Sequence, residues 1–381
     1  WKPGEKSFLP EELSSLVIRS IVEDAQNYLG EEIEEAVISV PAYFHDEQRV
    51  AVKRAGALAG IRVERIVNEP SAAALASYFT RNEEQNMLVF DFGGGTLDVS
   101  LVDCFDTMVE IVSAAGNNRL GGDDFDRLIA EHFLREHGVA RQQLRAQEYA
   151  VLLKQAERCK KLLSEQDEVV MHATVGDQLY ESTYTMDRLF EESKALLKEI
   201  RQVIGRALKD GKMTIHDVDL VVMAGGSSKM PLIQKYIRHL FHKAPMVQGN
   251  CDELIALGLG LVCGVKERKE EIKDYILTDI CPFSLGVATI NEADPDRAYM
   301  ANIINRNTVL PCSRVRRFYT ASDQQDYVVV EVHQGENTYA QDNLLLAKIE
   351  ISVPPKPKGK EAVDVRFTYD INGILVVDTR V

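Results

Sequence analysis

The sequence predicts an α/β domain followed by a small β-sandwich. Helix-period apolar patterns alternate with short strands up to residue 266, whereas beyond residue 280 only short β-rich runs remain. A glycine-rich turn between two apolar strands, within residues 88–100, lies at the centre of the first part. The chain is therefore expected to contain two parts of different fold class.

Composition narrows the class of protein. The 381 residues are 45% hydrophobic, enough for a large core and about two or three domains. The 44 Lys+Arg against 59 Asp+Glu, net −15, argue against nucleic acid or a membrane as the main partner, since both need a basic surface. Six cysteines without a Cys-x-x-Cys pair argue against a disulfide framework and predict a cytoplasmic location.

The first elements alternate as in α/β proteins. Residues 10–29 keep three-and-four apolar spacing and predict a helix. Strands are predicted at residues 36–40 and 63–67, with a helix at 46–60 between them. Glu69 follows the second strand at its end, where an acid is a candidate for a site.

The central turn predicts a phosphate-and-metal site. It carries two carboxylates, three glycines and a hydroxyl: Asp91, Asp98, Gly93, Gly94, Gly95 and Thr96. Glycines let backbone N–H groups approach an anion, carboxylates are hard ligands for Mg²⁺ or its waters, and the hydroxyl is placed to contact a terminal phosphate. The same residues also fit a plain β-hairpin.

Two further stretches favour the phosphate interpretation. Residues 219–224 predict a strand that runs into Gly225, Gly226 and Ser227 before a helix, an arrangement that suits a phosphate or ribose. A helix predicted at residues 146–163 carries a second set on one face, namely Glu157, Lys160, Lys161 and, just beyond it, Ser164. That set also fits a solvated charged face.

The remaining elements are predicted from periodicity. A hairpin is expected at residues 169–184, one long helix at 186–208 and an apolar helix at 251–266. Residues 274–279 form an apolar strip that we expect to dock. The later strands are predicted at residues 283–290, 314–320, 327–333, 344–351, 363–369 and 374–378, with a hairpin turn at Asn372-Gly373.

Six motifs, in order, closely resemble the heat-shock protein 70, or DnaK, family of molecular chaperones. They are Ile38-Ser-Val-Pro-Ala-Tyr-Phe44, Asn68-Glu-Pro70, Asp91-Phe-Gly-Gly-Gly-Thr96, Leu120-Gly-Gly-Asp-Asp-Phe125, Gly225-Gly-Ser-Ser-Lys-Met-Pro231 and Gln334-Gly-Glu336. Residues 276–286 look most like the HscC branch of bacterial specialised chaperones. Asp91-Phe-Gly93 alone imitates a kinase metal motif, but no His-Arg-Asp loop accompanies it.

The resemblance implies an actin-like ATPase domain with ribonuclease H-like lobes, followed by an all-β sandwich that binds extended apolar peptides. The implied boundaries are residues 1–267 for the ATPase domain, 268–280 for a linker and 281–381 for the sandwich. ATP or ADP with Mg²⁺ would be the cofactors. The implied partners are client peptides, a J-domain cochaperone and a nucleotide exchange factor, without nucleic acid or membrane.

The resemblance also assigns roles to residues. Glu69, Asp91, Thr96 and Asp98 would be catalytic, with Asp91 holding Mg²⁺ through water, and Pro41 and Arg49 would relay nucleotide state. The implied nucleotide-binding residues are Gly93, Gly94, Gly95, Gly121, Gly122, Glu157, Lys160, Lys161, Ser164, Gly225, Gly226, Ser227, Lys229 and Asp252. The implied peptide cleft consists of Val287, Thr289, Ile290, Phe318, Ala321, Gln325 and Val328.

The sequence departs from the family pattern at several points. The family's first phosphate loop, Asp-Leu-Gly-Thr-Thr, and its later catalytic lysine precede the first residue here, so we expect an incomplete first lobe and impaired ATP hydrolysis. Lys161 and Lys229 stand where the family has arginines around adenine, and lysine lacks their planar stacking surface. The helical lid that follows the sandwich in the family is also absent from these residues.

Two classes of function therefore remain open. The chain belongs either to an ATP-driven chaperone, whose nucleotide state controls peptide affinity, or to a nucleotide-independent peptide-binding module. An incomplete lobe would also expose sheet edges and apolar surface, so we expect the isolated chain to aggregate or to need a partner. A concentration-independent thermal transition of a monodisperse monomer would contradict that expectation.

Overall fold

The computed structural model describes residues 7–81, 83–175, 178–247, 251, 253–291 and 294–381. Backbone contacts divide them into two compact units. The first unit takes its described residues from 1–68, 262–269 and 277–381, and the second takes its own from 69–261 and 270–276. No described helix combines the length and the apolar character needed to cross a membrane.

The first unit begins with two helices and a two-stranded sheet. These elements are α1 (Pro10–Leu29), β1 (Glu35–Val40), α2 (Asp46–Ala59) and β2 (Arg62–Asn68). β1 and β2 pair in parallel along their whole length, and Val40, Val63 and Ile66 form a small buried cluster on them. The helix predicted at residues 10–29 and the two strands are confirmed.

Helix α1 carries apolar side chains that the described residues do not cover. Ser15 is its one buried residue, whereas Leu16, Val17, Ile21 and Tyr28 are 53%, 61%, 62% and 89% exposed. Side chains of this kind are normally buried, because each buried one contributes roughly 1.5–3 kcal/mol to folding. The helix therefore presents an apolar surface to solvent.

The second unit is built on a mixed sheet with helices. Its elements are α3 (Glu69–Arg81), β3 (Gln85–Phe92), β4 (Leu97–Phe105), β5 (Met108–Asn117), α4 (Gly122–Glu136), α5 (Ala146–Leu162), β6 (Glu168–Val175), β7 (Gln178–Thr185), α6 (Met186–Glu192), α7 (Lys194–Asp210), β8 (Leu220–Ala224) and α8 (Pro231–Phe241). The sheet order is β8-β3-β4-β5, with β3 parallel to β8 and antiparallel to β4. β6 and β7 form a separate hairpin.

The central strand β3 explains where the core lies. Its last six residues are all buried, so both faces of the sheet are covered, as expected of a continuous apolar run. Phe90 and Phe92 pack with Phe125 of α4 in the large cluster on one face. The carboxyl end of β3 is thereby fixed next to the start of α4.

The structure contradicts one prediction in this unit and agrees with another. The single helix predicted at residues 186–208 is wrong: α6 and α7 are separated at Ser193, which is fully buried and bonds through Oγ to the Phe190 carbonyl at 3.2 Å. Helix α9 (Leu254–Lys266) and strand β9 (Ile276–Thr278) follow. The apolar strip expected to dock does so, because the Ile276 N–H donates to the Thr107 carbonyl at 2.9 Å on the β5 edge of the sheet.

The rest of the first unit is built from strands, namely β10 (Leu285–Asn291), β11 (Asp294–Ile304), β12 (Cys312–Tyr319), β13 (Tyr327–Gln334), β14 (Leu344–Ser352), β15 (Ala362–Tyr369) and β16 (Leu375–Arg380). They form two antiparallel sheets of order β11-β10-β13-β14 and β12-β15-β16. Buried side chains of both sheets, among them Val332 and Phe367, belong to one hydrophobic cluster. The sequence prediction missed β11, whose Asp-Pro-Asp start is typical of a loop.

Candidate functional site

The predicted phosphate turn is an antiparallel hairpin whose tip is open. Asp91 lies opposite Asp98 in the pairing of β3 with β4, and the Gly93 N–H donates to the Thr96 carbonyl at 3.0 Å. Gly94 and Gly95 are exposed at the tip. The backbone therefore forms the hairpin that the sequence allowed. Whether the turn also forms a phosphate-and-metal site depends on the residues around it.

Two other glycine loops meet this turn. The Gly122 N–H donates to the Gly93 carbonyl at 3.0 Å, and a Cβ on Gly121 would lie 2.2 Å from the Gly94 carbonyl oxygen. Gly225 has φ of +79°, and a Cβ there would lie 2.6 Å from Asp91 Oδ1. The three loops predicted from sequence, at residues 93–95, 121–122 and 225–226, are therefore packed together, and the contacts at Gly121 and Gly225 leave no room for a side chain.

Three carboxylates of the second unit interact next to these loops. Burial raises the pKa of Asp91 to about 6. Burial, with the charges of Asp91 and Glu69, raises the pKa of Asp98 to about 8. Burial followed by the Asp91 charge raises the pKa of Glu69 to about 7. Perturbed groups of this kind cluster at functional sites, because a ligand is usually needed to compensate them.

These residues fit a hydrated divalent cation. Asp98 is 2% exposed, and its Oδ1 is buried with no hydrogen-bond partner among the described residues. Buried negative charge without a partner is costly, and Mg²⁺, which prefers oxygen ligands and retains waters, would offset it. Across the described ranges no group of three or more His, Cys, Asp or Glu residues is arranged to hold an ion directly.

A cleft of about 580 Å³ opens beside the turn. It is lined by Gly94, Asp123, Asp126, Glu157, Lys160, Lys161, Ser164, Gly226, Ser227, Lys229 and Met230. Most of the residues proposed from sequence to bind adenosine are thus brought together. Asp252 lies outside the described residues. The sequence analysis missed Asp123, Asp126 and Met230.

The two neighbouring lysines have different surroundings. Lys160 is buried, and its Nζ donates to the Gly122 carbonyl at 2.9 Å and lies 2.9 Å from Asp126 Oδ1. Lys161 is exposed and pairs with Glu157 at 2.6 Å. Lys160 therefore fixes the wall of the cleft, whereas Lys161 faces its opening. A buried lysine needs an acidic partner, and that requirement is the signal by which Asp126 could have been found.

A second cleft lies between strands of the first unit and has a volume of about 360 Å³. All seven residues predicted for the peptide cleft line it: Val287, Thr289, Ile290, Phe318, Ala321, Gln325 and Val328. It forms because β10 pairs with β13 only from Leu285 to Val287, while β13 continues its pairing with β14. The gap beyond Val287 leaves an apolar groove with exposed strand backbone on its wall.

Gln325 shapes one side of this groove. Its Oε1 accepts from the Ala321 N–H at 2.9 Å, and its Nε2 donates to the Tyr327 carbonyl at 2.8 Å. The loop at residues 320–326 is thereby held in one shape, so Gln325 acts as a support for the groove as well as a lining residue.

Arg49 is buried in the first unit, next to the β15–β16 turn. The guanidinium donates four hydrogen bonds, to the carbonyls of Phe44 (3.0 Å), Ala42 (3.2 Å) and Asn372 (3.2 Å) and to Asn68 Oδ1 (2.6 Å). Asn68 Nδ2 in turn donates to Asp279 Oδ2 at 2.7 Å. Pro41 contributes a carbonyl that accepts from the Phe44 N–H at 3.1 Å. Arg49 therefore joins residues 41–68 to the hairpin turn.

Three glycine loops converge in the mixed α/β unit, an arrangement typical of proteins that bind phosphate groups. The same chain carries two antiparallel sheets with an apolar groove. Residues 2–380 match the protein family described as "Hsp70 protein", and the chain therefore belongs to the Hsp70 family. Membership of this family implies an actin-like ATPase domain.

Two curated relatives support the assignment. The chain is 38% identical to "Stromal 70 kDa heat shock-related protein, chloroplastic" of Pisum sativum, over 98% of this chain and 53% of that protein. It is also 38% identical to "Chaperone protein dnaK" of Cyanophora paradoxa, over 99% of this chain and 61% of that protein. The chain thus spans between half and two thirds of the length of these relatives.

The packing at Gly121 gives a first prediction. Gly121→Ala should lower the free energy of unfolding by about 1–3 kcal/mol, because the new methyl group must displace backbone atoms of Gly94 and Gly95. Its φ of −164° suits any residue, so the effect would come from the contact alone. Urea unfolding of the ligand-free protein measures it. Gly95→Ala is the control, because no heavy atom lies within 4 Å of its Cβ position. Equal stability of the two variants would refute this account of the loop.

The buried carboxylates give a prediction about pH. The pKa of Asp98 in the folded protein, about 8, lies above its ordinary value. Between about pH 4 and about pH 8 the carboxyl group therefore ionises in the unfolded chain but not in the folded one, so the folded state loses stability as the pH rises through this range. Asp98→Asn should therefore stabilise the metal-free protein more at about pH 8 than at about pH 5, by an amount bounded by about 1.4 kcal/mol per unit of pKa shift.

Urea unfolding in the presence of a chelator measures this difference. Asp364→Asn is the control. Arg317 lowers the pKa of Asp364, so this carboxylate is ionised in both the folded and the unfolded state at about pH 5 and at about pH 8. The effect of Asp364→Asn on the free energy of unfolding should therefore be the same at the two pH values. A stability gain for Asp98→Asn that is the same at both pH values would show that Asp98 is not held in a charge-excluding site.

Proposed function

We propose that this chain is part of an ATP-dependent molecular chaperone that binds extended apolar peptides with nucleotide-controlled affinity. The observation that carries the proposal is that a chain of the Hsp70 family has both a glycine-lined cleft beside buried carboxylates and an apolar groove between strands. The relative from Cyanophora paradoxa is named as a chaperone protein. We further propose that the two antiparallel sheets form the β-sandwich expected from sequence.

The nucleotide would be bound by groups of the second unit. Backbone N–H groups of the glycine turn would face the phosphates, with Thr96 near the terminal one. Asp91 and Asp98 would hold Mg²⁺ through water, and the bound ion would offset phosphate charge. Glu69, with its pKa raised to about 7, is suited to orient the attacking water or to accept its proton. Lys161, Ser164 and Lys229 would contact the adenosine.

We also propose that hydrolysis by these 381 residues is impaired. The four residues assigned to catalysis, Glu69, Asp91, Thr96 and Asp98, include no cationic side chain. Phosphoryl transfer depends on positive charge that stabilises the transferred phosphate, so these residues would bind nucleotide better than they hydrolyse it.

One observation favours the second candidate, a nucleotide-independent peptide-binding module. The residues lining the groove all come from residues 287–365 of one unit. A groove built in this way does not require nucleotide for its assembly. In the nucleotide-controlled alternative, Pro41 and Arg49 would relay nucleotide state to the peptide-binding region, because Arg49 holds the turn after β15.

Further assignments belong to the same proposal. We propose the boundaries 1–267, 268–280 and 281–381 for an ATPase domain, a linker and a sandwich, and an HscC-like branch from residues 276–286. A J-domain cochaperone and a nucleotide exchange factor would be its partners, and the cytoplasm its location. Addition of a J-domain protein to a peptide-release assay would test the first of these partners.

The peptide groove is tested by Ile290→Asp. This residue lines the groove but is 65% exposed, so a carboxylate there should weaken binding of an apolar peptide about tenfold with little loss of stability. Fluorescence anisotropy of a labelled leucine-rich peptide, with and without Mg²⁺-ATP, measures affinity and its nucleotide dependence together. Val376→Asp is the control, because Val376 is 51% exposed on β16 and does not line the groove.

The outcomes separate the two candidates. Weaker peptide binding in Mg²⁺-ATP supports the nucleotide-controlled chaperone, and unchanged binding supports the module. If Ile290→Asp and Val376→Asp have equal effects, the groove is not the peptide site.

The adenosine cleft is tested by restoring arginine. The Lys161→Arg/Lys229→Arg double variant should bind Mg²⁺-ATP about three- to tenfold more tightly, because a guanidinium plane can stack on the base. Isothermal titration calorimetry measures the affinity. Lys198→Arg/Lys209→Arg on α7 is the control, since both positions are exposed and do not line the cleft. No gain, or a gain shared by the control, would exclude these positions as adenosine contacts.

A further inference from the structure

The apolar groove of the first unit has a cationic border. Residues 312–319 of β12 and residues 354–360 of the loop before β15 contain three arginines and three lysines and no acidic residue. The chain as a whole has a net charge of −15. This border therefore has the opposite sign to the molecule that carries it.

Both cationic stretches adjoin the groove. Phe318 and Tyr319 at the end of β12 line it, and the guanidinium of Arg316 lies 5.5 Å from the centre of the Phe318 ring. The loop at residues 354–360 is bonded to the loop that supplies Ala321, because the Gly359 N–H donates to the Thr320 carbonyl at 2.9 Å. Both cationic stretches thus lie next to residues that line the groove.

Some of these cations are already neutralised within the chain. Arg317 makes two hydrogen bonds to Asp364, at 2.7 and 2.8 Å, and Lys356 pairs with Glu361. The carboxylate of Asp323 accepts from the backbone N–H of Lys358 at 2.8 Å, which places a negative charge beside this loop. The two ion pairs and this carboxylate reduce the cationic character of the border without cancelling it.

Arg314 and Arg316 differ from Arg317. Arg314 donates to the Ser313 carbonyl at 3.2 Å and Arg316 to the Asn302 carbonyl at 2.9 Å, and neither has an acidic partner within ion-pair distance in the part of the chain that the structure describes. By strand register they share the face of Phe318, because Arg314 lies opposite Phe367, Arg316 opposite Val365 and Phe318 opposite Val363. β12 is an edge strand of its sheet. Two charged guanidinium groups are thus exposed along the edge that leads to the groove.

From this arrangement we propose that the groove selects extended apolar peptides flanked by acidic residues, with Arg314 and Arg316 as the groups that determine this preference. The inference rests on the proposed peptide-binding function and names its substrate class. The apolar core of the peptide would occupy the groove, and its acidic flank would pair with guanidinium groups, which bind carboxylates through two parallel hydrogen bonds. A basic flank would meet like charge.

The test compares three labelled peptides with one leucine-rich core, flanked by glutamate, glutamine or lysine. Anisotropy should show the glutamate-flanked peptide binding about three- to tenfold more tightly than the lysine-flanked one, since exposed ion pairs each contribute a modest factor. The ratio should fall towards one when salt is raised from about 0.05 M to about 0.5 M.

The Arg314→Gln/Arg316→Gln double variant should bring the ratio close to one. Arg366→Gln/Arg380→Gln is the matched control: it removes the same charge from the same sheet, but the register places Arg366 opposite Val315 and Arg380 opposite Asp364, on the other face. This control should keep the wild-type ratio. Arg316→Lys keeps the positive charge and should keep most of the preference for the glutamate-flanked peptide. This variant shows whether a loss of preference comes from the lost charge or from a damaged fold.

Each outcome has one meaning. A preference for the glutamate flank that only the first double variant abolishes supports the inference. Equal binding of glutamate- and lysine-flanked peptides, or equal loss of preference in both double variants, overturns it and leaves the peptide-binding function in place. If none of the three peptides binds, the proposed peptide-binding function itself fails.

Discussion

The burial of carboxylates at the ends of two paired strands is the constraint on which the second unit depends. Asp91 is the last residue but one of β3 and Asp98 is the second residue of β4, and the antiparallel pairing of these strands around a short turn sets them opposite each other. Burial removes hydration from both carboxylates and raises their pKa values, and the charges of Asp91 and Glu69 raise that of Asp98 further. A site that tolerates this cost in the free state can bind a cation strongly, because binding relieves the repulsion.

Two glycine loops pack around the same turn. The loops around Gly121 and Gly225 approach it more closely than any side chain allows. Lys160 then fixes the second loop by bonding to the Gly122 carbonyl and pairing with Asp126. This lysine stabilises the shape of the cleft, so a substitution there would act on the proposed nucleotide binding indirectly, through the position of the loop.

Local patterns in the sequence were sufficient for much of this description. The glycines and acids at residues 91–98 predicted a phosphate-and-metal site, because backbone N–H groups bind anions and carboxylates bind Mg²⁺. The apolar runs on either side predicted the two strands. The break at Ser193 was not predictable from periodicity, because the helical apolar pattern continues from α6 into α7. β11 was missed because its start resembles a loop, and its pairing with β10 comes from tertiary structure.

Side-chain partners distant in sequence were the least predictable part. Arg49 on α2 bonds to the Asn372 carbonyl, more than 300 residues away, and the Asn372 side chain accepts from the Ile66 N–H at 3.0 Å. The Asn-Gly signal predicted the turn but not what binds it. Gly373 is required there for space as well as for its φ of +67°, because a Cβ would lie 3.0 Å from the guanidinium.

This turn also has a mechanical consequence for the groove. β15 runs from Ala362 to Tyr369, so the strand that supplies Val363 and Val365 to the groove ends at the turn that Arg49 holds. A paired strand transmits displacement along its length better than a loop does, because its hydrogen-bond register resists local adjustment. The four hydrogen bonds of Arg49 therefore fix the turn at which this strand ends, and they connect that turn with residues 42–68 of the same unit.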